Sequence, residues 1–165
     1  MNNEISKLAA QCVNKLIEKN ITIATAESCT GGMFSSYLTN VPGVSAIYEF
    51  GITSYSNRIK SRVFGVDAET LMEYGAVSHQ TAKEMAIKIR KLAPANIGVS
   101  ITGEAGPSSS EGKAPGTVYI AISDENMTYI EKLEIEPISR EYVRQTAVKS
   151  LFSLLLKYLE RGLEN

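Results

Sequence analysis

Ser28 stands in Ala26-Glu27-Ser28-Cys29-Thr30-Gly31-Gly32, directly after a short β-branched run, Ile21 to Thr25, and directly before a segment with helical spacing. Ligands of open α/β sheets gather beyond the carboxyl ends of strands, where the next helix points free N–H groups outward, so a hydroxyl at this junction is placed to act as a nucleophile. The same placement suits a cap: Ser28 and Thr30 could do no more than close off the helix, with Gly31 and Gly32 permitting a tight turn. Spacing alone does not separate the two readings. No lysine follows the glycines, so the segment is not a phosphate loop, and it does not match the dinucleotide fingerprint. Cys29 is a rival nucleophile, although a cysteine beside a strand end is more often a small buried apolar residue.

A serine nucleophile needs a base. His79 is the single histidine, and its position after Ser78 at a helix start reads as capping or solvated. The base is therefore sought among lysine, tyrosine and carboxylate side chains. Tyr55-Ser56-Asn57-Arg58-Ile59-Lys60 ends a strand in polar residues and could bring Tyr55 and Lys60 to the sheet edge that carries Ser28. A lysine serves as base only as the neutral amine, which requires lowering its pKa from about 10.4 by burial or by neighbouring cations such as Arg58 and Arg62. The competing reading is a set of solvated charges on a short helix. The loop Gly103-Glu104-Ala105-Gly106-Pro107-Ser108-Ser109-Ser110-Glu111-Gly112, after Thr102, could cradle a phosphate or an oxyanion with backbone amides. Arg140 and Arg144 fall in the first turns of the last helix, where a cation gains nothing from the helix dipole, and this hints at an anion nearby.

These residues must be positioned by a fold, and the bulk properties restrict which. At 165 residues the chain is expected to form one domain, 1–165. With 44% apolar and 21% charged residues it folds by burying apolar surface. Seventeen basic against 18 acidic residues give a net charge of -1, so there is no basic field for nucleic acid. No apolar run approaches the roughly 18 residues of a membrane span, and Met1-Asn2-Asn3-Glu4-Ile5-Ser6-Lys7 lacks the order of a signal peptide. A cytoplasmic protein that contacts neither membrane nor nucleic acid is expected, with homo-oligomerisation left open. Two cysteines and one histidine assemble no Cys/His metal cluster of ordinary spacing, so neither metal nor organic cofactor is anticipated.

Ile5, Leu8, Ala9, Cys12, Val13, Leu16 and Ile17 recur at helical spacing up to Asn20, which makes Cys12 a core residue. A strand is expected over Ile21 to Thr25, a helix to about Asn40, a strand over Ile47 to Tyr55 and a short basic helix over Asn57 to Phe64. Asp67 should cap Ala68 to Tyr74, and Ser78 or His79 opens a helix with Ala82, Met85, Ala86, Ile89 and Leu92 on one face. Ile97 to Thr102, Thr117 to Ser123 and Met127 to Ile135 read as strands, the last two as a hairpin, and Ser139 caps a final helix. The alternation fits a three-layer α/β/α domain with a mixed β-sheet.

Taken together, Thr25 to Gly32, Gly51-Ile52-Thr53-Ser54-Tyr55-Ser56-Asn57 with Lys60, Gly75-Ala76-Val77-Ser78, Ile101 to Pro107 and Pro115-Gly116-Thr117-Val118 resemble the CinA carboxy-terminal domain family, which includes nicotinamide mononucleotide deamidases. The motifs occur in the family's order, and Arg140 to Val148 resembles its last helix. The chain is similar to the form in which this domain stands alone. The resemblance implies hydrolysis of nicotinamide mononucleotide to nicotinate mononucleotide and ammonia, with Ser28 as nucleophile and Lys60 and Tyr55 beside it. It further implies ligand contacts from Cys29, Thr30, Gly31, Thr102, Gly103, Gly106 and Arg144. For such a substrate the 5′-phosphate is expected at Arg144 with the loop from Gly103 to Gly106, and N–H groups at the helix start are expected to hold the oxyanion. Two departures stand out: Ser108 to Glu111 replaces further glycines, and Glu104 occupies a position that is apolar in the family pattern. A different class of protein, a nucleotide-binding regulatory module without turnover, would keep the same anion loops.

Overall fold

The computed structural model describes residues 1–109 and 112–161; Ser110 and Glu111 of the glycine loop and the last four residues lie outside the described residues. The elements run α1 (Asn2–Glu18), β1 (Ile23–Glu27), α2 (Met33–Thr39), a 3-10 turn (Val44–Ala46), β2 (Tyr48–Thr53), α3 (Asn57–Arg62), α4 (Ala68–Tyr74), α5 (His79–Leu92), β3 (Ile97–Gly103), β4 (Thr117–Ser123), β5 (Thr128–Glu134) and α6 (Arg140–Arg161). The strands form one mixed sheet in the order β2-β1-β3-β4-β5. β1 pairs parallel with β2 and β3, while β3 with β4 and β4 with β5 are antiparallel. The three-layer α/β/α arrangement expected from the sequence is present.

Alternation along β3 explains how the layers are held. Ile97, Val99 and Ile101 are at most 1% exposed and join a core built with α1, α2 and α6, including Leu16, Phe34, Val143, Leu151 and Phe152. Phe34 and Phe152 stack with ring centroids 4.1 Å apart, tying α2 to α6. The intervening residues are small and face α5. Ser100 Oγ donates to the Ala82 carbonyl at 2.7 Å, and a Cβ on Gly98 would collide with the carbonyl oxygen of Ala86. Small side chains therefore let α5 approach the sheet closely, and the second core, with Ala24, Ala26, Phe64, Val66, Leu71, Met85 and Ile89, forms on that side.

The caps expected at Asp67, Ser78 and Ser139 are present, and Ser56 adds a fourth that the sequence reading did not name. Ser56 accepts from Ile59 N–H, Asp67 from Glu69 N–H, Ser78 from Thr81 N–H and Ser139 from Tyr142 N–H, at 2.9 to 3.3 Å. The first strand begins two residues later than expected and extends to Glu27, so Ser28 follows its last residue directly. The second and fifth strands are shorter at both ends, Tyr48–Thr53 and Thr128–Glu134. No helix among the described residues is long and apolar enough to cross a membrane.

The topology creates one crevice. From β1 the chain crosses through α2 to β2 on one side, then returns through α3, α4 and α5 to β3 on the other, so strand order reverses between β1 and β3. Glu27 pairs with Ile101 there, and the loops after both strands open outward at the same end.

Candidate active site

The residue that organises this crevice is Glu27, which sequence reasoning did not single out. At 1% exposure, its carboxylate accepts from the N–H groups of Gly32 (3.1 Å), Phe34 (3.1 Å) and Ser35 (2.8 Å) and from Ser35 Oγ (2.7 Å). A carboxylate at a helix start satisfies orphan donors and complements the dipole. The signal was available, since an acid precedes a Ser-Cys-Thr-Gly-Gly run that lacks any other charge. Two expectations change as a result. Ser28 and Thr30 do not cap α2, which removes the competing reading of the serine. The α2 amides expected to hold an oxyanion are occupied by Glu27 and face away from that task.

Ser28 is free to take another partner. Its N–H donates to the Ile101 carbonyl at 3.0 Å, fixing the loop to β3, and its Oγ lies 3.1 Å from Lys60 Nζ. Lys60 sits on α3, whose short length and Ser56 cap turn its side chain inward; it is 1% exposed, the opposite of the solvated helix charge that composition alone suggested. Its Nζ also donates to the Ser54 carbonyl at 2.8 Å and to the Tyr55 carbonyl at 3.4 Å. In the amine form the nitrogen lone pair is within reach of the Ser28 proton.

A cavity of about 350 Å³ opens over this pair. Ser28, Lys60, Tyr55, Ala76, Thr102, Gly103, Gly106, Ser108 and Arg140 are among the residues that line it. Thr102 Oγ1 donates to the Ala76 carbonyl at 2.7 Å, joining the end of β3 to the turn before α5 so that both become one wall. Gly103 is required by packing: a Cβ there would come within 2.7 Å of Val118 Cγ2 and 2.8 Å of the Thr117 carbonyl. Gly106, at φ +78, shapes the loop itself.

The tyrosine and the arginines are placed differently from expectation. The Tyr55 phenol does not touch Lys60; it donates to the Cys29 carbonyl at 3.4 Å and accepts from Arg140 Nη2 at 3.0 Å. Arg140 Nη1 donates to the Gly106 carbonyl at 2.8 Å, so one guanidinium ties the glycine loop to Tyr55 across the cavity mouth. Arg144, expected at the 5′-phosphate, is not among the residues that line the cavity. It donates to the Cys29 and Thr30 carbonyls at 3.1 and 2.7 Å. Thr30 and Gly31 likewise do not line the cavity.

Cys29 turns its side chain into the core beside α1, α2 and α6, 4% exposed. Burial pushes its thiol up to about 12, with Arg140 and Arg144 pulling the other way and Glu27 adding to the rise. A protonated thiol is a poor nucleophile, so the environment favours Ser28 over its neighbour. Among the described residues no group of three or more His, Cys, Asp or Glu side chains could hold a metal ion.

A doubly wound α/β domain with a buried serine–lysine pair at its topological switch point has the equipment of a nucleophilic acyl-transfer site. The chain belongs to the CinA family: residues 5–159 match the model of the CinA C-terminal domain. A relative from Acetivibrio thermocellus, whose name refers to competence-damage inducibility, is 43% identical over 157 residues, 94% of this chain and 38% of that protein. A CinA-like protein from Cytophaga hutchinsonii is 46% identical over 141 residues, 84% of this chain and 34% of its own. The chain thus spans little more than a third of the length of these relatives. Among solved structures, a CinA superfamily protein from Klebsiella pneumoniae superposes with a TM-score of 0.91 at 32% identity, covering 94% of this chain and 97% of that one. A competence/damage inducible protein from Agrobacterium tumefaciens gives 0.91 at 34% identity, with 96% of each chain covered.

Proposed function

We propose that the chain is an amidohydrolase that converts nicotinamide mononucleotide and water to nicotinate mononucleotide and ammonia. The observation that carries this reading is the 3.1 Å approach of Lys60 Nζ to Ser28 Oγ at the floor of a cavity. Ser28 Oγ attacks the carboxamide carbon while the Lys60 amine takes the hydroxyl proton. The tetrahedral intermediate collapses as Lys60 returns that proton to the departing nitrogen, which leaves as ammonia. Water, deprotonated by the same amine, then cleaves the acyl-enzyme and restores Ser28. The pyridinium charge withdraws electrons from the carboxamide and makes its carbon a better electrophile.

The oxyanion cannot be met by the first turn of α2, whose amides Glu27 occupies. Its donors come instead from the other backbone lining the cavity, at Cys29, Ala105 or Gly106, since the Glu104 N–H already donates to the Thr117 carbonyl. Arg140, exposed and at the cavity mouth, replaces Arg144 as the cation for the 5′-phosphate, with the Ser108 hydroxyl beside the same opening. Tyr55 becomes a wall of the cavity and the partner of Arg140.

The test is ammonia release from nicotinamide mononucleotide, nicotinamide riboside and free nicotinamide, each with the wild type and with Arg140→Ala. A charge-assisted hydrogen bond is worth about 1.5–3 kcal/mol, so the riboside should be at least about tenfold poorer than the mononucleotide in kcat/KM. Arg140→Ala should reduce the mononucleotide rate by a similar factor and leave the riboside rate nearly unchanged. Equal loss on both substrates would remove Arg140 from the phosphate site, and equal rates on the three wild-type substrates would remove the nucleotide from the reading.

A further inference from the structure

We infer that Arg144 is a positioning residue that sets the location of the Ser28 hydroxyl from outside the cavity, an inference that rests on Ser28 being the nucleophile. The loop between β1 and α2 is held on two sides by opposite chemistry. On the amide side Glu27 takes the N–H groups of Gly32, Phe34 and Ser35. On the carbonyl side Arg144 Nε and Nη2 donate to the carbonyls of Cys29 and Thr30, the two residues that follow Ser28. The guanidinium also lies against Gly31, where a Cβ would sit 3.4 Å from Nη2 and where the backbone has φ +63. The backbone around the serine is thereby specified by one acid and one guanidinium.

Three features separate this role from simple packing or from substrate contact. Arg144 makes no ion pair among the described residues, and its Nε and Nη2 donate to the loop carbonyls. Its neighbours Val143 and Ala147 are fully buried, which anchors that turn of α6 against the core. Two adjacent carbonyls at 3.1 and 2.7 Å match the fixed fork of a guanidinium, a geometry that a lysine ammonium, a single point charge, does not reproduce. A sub-ångström shift of the loop would lengthen the Ser28 to Lys60 contact, and reactions of this kind lose roughly a hundredfold for about 1 Å of misplacement.

The experiment measures the rate at which phenylmethylsulfonyl fluoride labels Ser28, read as an intact-protein mass shift mapped to that residue, for the wild type, Arg144→Lys and Arg144→Ala. Melting temperatures, and kcat and KM on nicotinamide mononucleotide and its riboside, are recorded for the same proteins. Both variants should be labelled at least about tenfold more slowly. Their kcat should fall by the same factor on both substrates while KM for the mononucleotide moves less than about twofold, and methylguanidinium should restore part of the labelling of Arg144→Ala. If Arg144→Ala does not fold, Arg144→Lys, which keeps the stem and the charge, carries the comparison. Wild-type labelling rates in a folded variant, or a loss confined to KM for the mononucleotide, would overturn the inference and return Arg144 to ligand contact. A wild-type protein that is labelled at Ser28 but releases no ammonia would overturn the substrate reading alone. A wild-type protein that is not labelled there would overturn both.

Discussion

Lys60 concentrates the residue-scale argument, because a lysine that is 1% exposed is costly to bury and contributes nothing to the apolar core around it. Losing a general base removes about a hundredfold or more in rate, and removing this lysine also leaves the Ser54 and Tyr55 carbonyls without their donor. Lys60→Met is therefore expected to lower the melting temperature and to lower turnover by at least about a hundredfold, measured by ammonia release and thermal unfolding on one preparation. Lys60→Arg should be equally inactive, since a guanidinium with a pKa above about 12 yields no base near neutrality. A Lys60→Met variant that retained turnover would end the base assignment. Cys29 supplies the contrast. With its thiol pushed up to about 12, it should resist iodoacetamide in the folded protein between pH 7 and about 9 and react only once the chain unfolds. Cys29→Ala should retain activity within about threefold, and a thiol that alkylates at the rate of a free cysteine, with loss of turnover, would reverse the choice of nucleophile.

At the scale of elements, the strand–loop–helix unit from β1 to α2 depends on Glu27 more than on any glycine or hydroxyl within it. Glu27→Ala leaves three buried or half-buried amides and the Ser35 hydroxyl without their acceptor. Unsatisfied groups of this kind cost about 1–3 kcal/mol each, partly recovered by relaxation, so the loss should be about 3 kcal/mol or more, read from denaturant midpoints. A loss under about 1 kcal/mol would mean that the loop does not depend on this carboxylate. Most elements were legible because their signals are local: Asp67, Ser78 and Ser139 cap the helices that follow, and the 3.6-residue spacing of α1 and α5 marks their buried faces. Strand ends were less legible. The β1 boundary moved from Ile21 to Ile23 because its start is set by pairing with β2 and β3, which no run of β-branched residues records. The role of Glu27 was missed for a related reason, since a carboxylate at a strand end reaches a cap only after the chain has turned back over it.

At the scale of the whole molecule, the site is a product of sheet order. Ser28, Lys60 and the loop after Thr102 are distant in sequence and meet because strand order reverses between β1 and β3, placing both loops over one crevice. The segments singled out in the sequence after β1, after β2 and after β3 all contribute to the lining of this cavity, and the arrangement of side chains within them needed the fold. By composition Lys60 could be read as a surface charge, and of Arg140 and Arg144, one turn apart on α6, the sequence reading assigned Arg144 to the ligand. Packing separates them: Arg140 reaches the cavity mouth through Gly106 and Tyr55, whereas Arg144 ends on the carbonyls behind Ser28. The account as a whole is tested most directly by following ammonia release and mononucleotide binding together in the wild type and in Ser28→Ala. The wild type should release one ammonia for each nicotinamide mononucleotide consumed. Ser28→Ala should bind the mononucleotide with a Kd within about threefold of the wild type and release ammonia at least about a thousandfold more slowly, as expected when the attacking oxygen alone is removed. Turnover by Ser28→Ala near the wild-type rate, or binding without ammonia release by the wild type, would contradict it.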